Sequence, residues 1–172
     1  TVIKASVSFG ITCRLPGCLA FKGILSEMEF PMPRPRQQAP SAADVIAARK
    51  SAHAIGHPSA ALAYALQYEG PLRQWDVTGQ WIPIGEQQPS SIFDGKTKWI
   101  GPTWAQVSDT LIFTVTPGKT DETTGARVVI DLKLCPMVME ELALIPLDRR
   151  TGPIVKHPTS GLPYPQWVFR DL

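Results

Sequence analysis

The sequence is poor in several things that would define a function class quickly. It has three cysteines (Cys13, Cys18 and Cys135) and three histidines in 172 residues. An odd, sparse cysteine set cannot pair completely within one chain and fits a reducing cytoplasm better than a disulfide framework. Cys13-x4-Cys18 and His53-x3-His57 are separated by far more than the dozen or so residues of a zinc finger. Buried or surface cysteines and a solvated helix end account for them better, so no metal is expected. No apolar run approaches the ~18–20 residues that cross a bilayer. Thr1-Val2-Ile3-Lys4 carries neither a signal-peptide pattern nor an initiator methionine, which suggests a piece of a longer protein. Gly95-Lys96-Thr97 and Gly118-Lys119-Thr120 each end like a phosphate-binding loop. The glycine required five positions earlier is Ser90 in one and Phe113 in the other, so no nucleotide is expected. No Ser-His-Asp arrangement is supported, and no repeat of 20–50 residues appears.

What the chain does have is proline and glycine, 17 and 13 residues, with 44% hydrophobic and 19% charged residues. That composition predicts one globular domain with an appendage and many turns. The net charge of +2 is unevenly spread. Residues 1–50 hold seven Lys/Arg against three Asp/Glu, and the remainder ten against twelve. A basic leading segment suits a polyanionic partner. Residues 1–12 read as the end of a helix, broken by Leu15-Pro16-Gly17, and Leu19–Phe30 as a second short apolar stretch. Alternating prolines across Pro31–Gln38 forbid regular helix and predict an extended linker, so the domain boundary is placed at 38/39.

From Ser41 the signals sharpen. Ser41 and Asp44 predict a capped helix to about Ala54, stopped by Gly56 and Pro58. Ser59 is expected to cap a second helix to Glu69, with Leu62, Ala65 and Leu66 on one face. Gly70 ends it, and Pro71 is expected to start a third at the favoured first position. Arg73, Asp76 and Val77 would then be helical neighbours, and Arg73–Asp76 an exposed ion pair worth a few tenths of a kcal/mol. Residues 79–104 lack a period and read as a loop-rich insertion with one short strand near Trp81–Ile84. Leu111–Thr116 and Arg127–Asp131 predict a β-hairpin with Lys119 in its long connection. A helix from Cys135-Pro136 to about Ile145 would bury Val138, Met139, Leu142 and Ile145 and leave Glu140 and Glu141 in water. Gly152–Lys156 reads as a short strand and Tyr164-Pro165 as the start of a final helix.

The segments Glu69-Gly70-Pro71-Leu72-Arg73-Gln74-Trp75-Asp76, Lys119-Thr120 in a hairpin, and the helix Cys135–Leu142 resemble, in that order, the first half of the catalytic domain of the tyrosine recombinases, the phage-integrase family. The resemblance covers roughly residues 40–172, with the leading residues similar to the end of a helical DNA-clamping domain. It implies an α+β fold, mainly helical with a small antiparallel β-hairpin or sheet, of the DNA breaking-rejoining type. It implies site-specific recombination on double-stranded DNA through a 3′-phosphotyrosyl intermediate, without cofactor, in the cytoplasm, with self-association on DNA. Arg73 would grip the scissile phosphate, Lys119 would protonate the leaving 5′-oxygen, and Asp76 would orient Arg73. Arg34 and Arg36 would touch the DNA backbone from the linker. The family's second box, His or Lys followed three residues later by Arg, has no counterpart here: His157 leads to Ser160 and Lys156 to Thr159. Tyr64, Tyr68 and Tyr164 do not match the nucleophile's position. These 172 residues alone are therefore expected to be inactive. The competing readings are a non-catalytic DNA-binding relic of an integrase and an α+β protein-interaction module using Trp81, Trp99 and Trp104.

Overall fold

A computed structural model describes residues 39–117, 126–165, 168 and 169. By its backbone contacts the chain divides into two units, Thr1–Ala39 and Pro40–Leu172. The first, with Arg34 and Arg36, lies outside the described residues except for Ala39. The second is α+β, with four α-helices and two small antiparallel sheets among the described residues.

Helix α1 (Ala42–Ala54) starts where a local device compels it. The Ser41 hydroxyl accepts from the Asp44 N–H, and the Asp44 carboxylate accepts from the Ser41 N–H and hydroxyl. This reciprocal cap satisfies otherwise orphaned groups. The hydroxyl bond first, then the backbone bond, holds the Asp44 carboxyl below its ordinary pKa. Helix α2 (Pro58–Glu69) differs from expectation at its start. Pro58 takes the first position and His57 the cap. The Ser59 hydroxyl instead donates to the Lys156 carbonyl and accepts from the Lys156 N–H, tying the helix to a segment 97 residues away. Alanines at 60, 61, 63 and 65, with Leu62 and Leu66, are buried, which lets α2 serve as the central helix against α1, α3 (Gln74–Thr78) and α4 (Pro136–Ala143).

The short strand expected near Trp81–Ile84 is present in the insertion, and two further strands make it a sheet. Strands β1 (Gln80–Pro83), β2 (Phe93–Asp94) and β3 (Thr97–Ile100) pair antiparallel in the order β1-β3-β2, with Trp81 opposite Trp99. The expected hairpin is present as β4 (Ile112–Val115) and β5 (Val128–Asp131), with Phe113 opposite Ile130; residues 118–125 between them, including Lys119, lie outside the described residues. Gly152–Lys156 is not a strand. Only an isolated bridge, Thr103 to Pro153, forms there, while Ile154 and Val155 enter the core beside Phe113, Leu62, Val138 and Leu142. Of the expected final helix, residues 166–167 and 170–172 lie outside the described residues, and Val168 and Phe169 are helical.

Helix α4 buries Val138 and Leu142 as expected, but also Glu141, which is only 3% exposed. Its carboxylate meets Arg49 Nε at 2.7 Å and His53 Nε2 at 2.8 Å, and exposed Glu140 adds a bond to Arg49 at 2.9 Å. Burial alone would lower the Arg49 pKa, but the bonds to Glu140 and Glu141 outweigh it and raise it. Glu141 stands three residues after Val138, on the inward face, and a buried cation from α1 makes that position tolerable.

Candidate functional site

The segment from Glu69 to Asp76 is held at each step by a different contact. At the end of α2 the Glu69 carboxylate accepts from the Met137 and Val138 N–H groups at 3.1 and 3.0 Å. It caps α4, whose own N-cap residue, Cys135, supplies no side-chain bond. At the opposite end Arg150 donates to the Leu142 carbonyl at 2.7 Å, so α4 has an anion at its positive end and a cation at its negative end. Burial first, then the Glu69 and Asp131 charges, pushes the Cys135 thiol pKa up. At Gly70 a Cβ would sit 2.7 Å from the Leu66 carbonyl oxygen and 3.1 Å from Ile130. The chain leaves α2 this close to β5 because nothing projects from it.

That close exit overrides the helix start expected at Pro71. Leu72 is buried, Arg73 is extended (φ −80°, ψ 163°), and α3 begins only at Gln74. Arg73 is thus the N-cap residue of α3 and not a member of it. Asp76, 8% exposed, accepts from the Arg73 backbone N–H at 3.1 Å. The helical side-chain pair expected between them is replaced by this bond, which fixes the main chain of Arg73. Arg73 itself is exposed, and among the described residues its guanidinium makes no hydrogen bond or ion pair.

Asp76 and Trp75 form one wall of an open cleft of about 570 Å³. The insertion supplies another wall through Gln80, Gln88 and Ile92, and Val115 and Thr116, at the root of the hairpin connection that carries Lys119, close a third side. Trp99 seats the insertion sheet. Its indole N–H donates to the Thr78 carbonyl at 3.1 Å, and it is sandwiched by Gly79 and Gly101, where any Cβ would approach the ring to 2.4 Å. Gly79 also has φ +73°, so two independent requirements select glycine there. Trp99 and Trp104 are buried anchors, and half-buried Trp81 donates to the Tyr164 carbonyl at 3.2 Å.

A second polar cluster lies at the start of α2. His57 Nδ1 and the Tyr164 hydroxyl share a hydrogen bond of 2.8 Å, and the His157 ring stands edge-on to both. His57 is therefore a bonded, half-buried group and not the solvated helix end expected. Burial is the main cause that raises the Tyr164 pKa. Tyr164 is only 2% exposed, so its hydroxyl is a buried group bonded to His57. Among the described residues no three His, Cys, Asp or Glu side chains gather as metal ligands, and no helix is long and apolar enough to cross a membrane.

Sequence reasoning missed the Arg49–Glu141–His53 cluster, the Glu69 cap and the Trp99 seat. The first had a signal in the spacing from Val138 to Glu141; the other two depend on contacts made across the chain. Comparison with protein-family models, curated proteins and solved structures finds no match to this chain.

Proposed function

We propose that this chain is part of a tyrosine-recombinase-type DNA breaking and rejoining protein and supplies the first half of its phosphodiester grip. The observation that carries the reading is Arg73: exposed, without a side-chain partner among the described residues, and fixed through its backbone to a buried carboxylate. Its neighbours Trp75 and Asp76 share a cleft with the root of the Lys119 connection. An arginine whose guanidinium has no partner among the described residues, and whose backbone N–H is bonded to Asp76, is suited to bidentate contact with phosphate oxygens.

In this reading Arg73 stabilises the negative charge that grows on the phosphorane, where preorganised cations act most strongly. Lys119 donates a proton to the departing 5′-oxygen. The attack itself requires an activated tyrosine and a second arginine, which these 172 residues do not provide. No metal or nucleotide takes part; partners are duplex DNA and other copies on it, in the cytoplasmic setting that the sparse cysteines suggest. Burial of Tyr164 favours, as the second reading, a DNA-binding relic over an enzyme with an unconventional nucleophile. For the protein-interaction reading, Trp99 and Trp104 are buried and Trp81 is half-buried, which gives it less support than the arginine gives the DNA reading.

A nicked suicide duplex tests the proposal. Residues 1–172 should retain it without forming an adduct that survives denaturation, and Arg73→Ala should weaken retention by about tenfold or more. A covalent adduct would overturn the claim that this half holds without cutting. Absence of retention would overturn the DNA reading.

A further inference from the structure

A second open hollow, of about 490 Å³, lies on the outward face of β4. Alternation along the strand decides what lines it. Phe113 and Val115 turn into the core, 0% and 5% exposed, while Ile112, Thr114 and Thr116 line the hollow. Arg127 lines it too. Val115 pairs with Val128, so the next step of the ladder sets Arg127 across from Thr116. Gln106 enters from the turn before β4. Its side-chain carbonyl accepts from the Thr103 N–H at 2.7 Å, which leaves the NH2 as the donating end of the amide. The hollow thus presents an exposed guanidinium, two half-buried threonine hydroxyls and an amide NH2. All of these can donate to an oxyanion, and the guanidinium can do so through two parallel bonds.

We propose that this hollow is a second phosphate seat, taking a backbone phosphodiester of the duplex whose scissile phosphate Arg73 holds; it rests on the DNA reading above. Gln106 and Thr116 line both this hollow and the cleft of Trp75 and Asp76. The two therefore adjoin, and a strand held at Arg73 can lay another of its phosphates against Arg127. An open hollow admits a continuous strand, whereas small-ligand sites enclose most of their ligand. Phosphate contacts position a duplex without reading its bases. The seat therefore adds affinity and register, not sequence preference.

Duplex affinity of residues 1–172 between about 50 and 200 mM salt tests the seat, with Arg127→Ala and Thr114→Val/Thr116→Val measured in parallel and thermal melts confirming that each is folded. Arg127→Ala should bind about tenfold more weakly at the low-salt end, with the logarithmic slope shallower by about one. Thr114→Val/Thr116→Val should also bind more weakly but keep the wild-type slope, because neutral donors release no counterion. An unchanged affinity and slope in folded Arg127→Ala overturns the seat while duplex binding by the wild type stands. Should Arg127→Ala fail to fold, unchanged affinity in Thr114→Val/Thr116→Val overturns it instead. Inorganic phosphate, compared with chloride at matched ionic strength, should displace no extra duplex. Extra displacement that Arg127→Ala abolishes would make this a site for free phosphate and overturn the duplex assignment. Failure of the wild type to bind any duplex overturns the DNA reading and the seat with it.

Discussion

Arg73 and Arg49 are the two arginines whose surroundings decide what they can do. Arg49 is consumed by structure: buried, bonded to Glu141 and Glu140, and joining α1 to α4. Arg73 is spent on nothing within the described residues. Opposite stability effects follow. Glu141→Ala would leave a buried guanidinium without its main partner and should cost about 3 kcal/mol, read as a lower urea midpoint. Arg49→Met/Glu141→Leu should come close to wild type, because an apolar pair of similar size avoids the desolvation cost. A Glu141→Ala midpoint equal to wild type would contradict the burial of this pair. Arg73→Ala should leave the urea midpoint within about 0.5 kcal/mol of wild type, as an exposed side chain without partners does.

At the scale of elements, the insertion sheet depends on the fit of Trp99 between Gly79 and Gly101. Gly79→Ala should destabilise the protein by about 2 kcal/mol or more and shift tryptophan fluorescence to the red, since both the left-handed backbone and the ring contact are violated. Gly56 offers a control: φ is +80°, yet a Cβ there would meet nothing within 4 Å. Gly56→Ala should cost only the ~1–2 kcal/mol of left-handed backbone; equal losses at both positions would refute the Trp99 seat. The same comparison explains what was legible in the sequence. Helix α1 was readable because Ser41 and Asp44 are three residues apart and cap each other locally. Strands β4 and β5 were readable from unbroken β-branched runs. Of the insertion only β1 was readable, because its strands are four, two and four residues long and lie among Pro83, Pro89 and Gly95. Its pairing of β1 with β3 skips the strand between them. Arg73 was found as a candidate, but its position as an extended cap residue was not, because the start expected at Pro71 yields to the passage of Gly70 against β5. Glu141 was misplaced because its partner lies 92 residues away.

For the molecule as a whole, bulk charge is a weak attractor. The net charge is +2, and residues 51–172 carry two more acidic than basic side chains. On the proposed DNA reading, affinity for a duplex has to come from particular cations placed where a phosphate can reach them, together with the basic residues of the first 50. That makes the salt dependence of binding the most direct test of the central claim. The affinity of residues 1–172 for a duplex, measured between about 50 and 200 mM salt, should fall linearly on logarithmic axes. In Arg73→Ala/Lys119→Ala the affinity should be lower and the slope shallower by about two, close to one for each lost phosphate contact. Superimposable lines for the two proteins, or no duplex affinity in the wild type, would contradict the account.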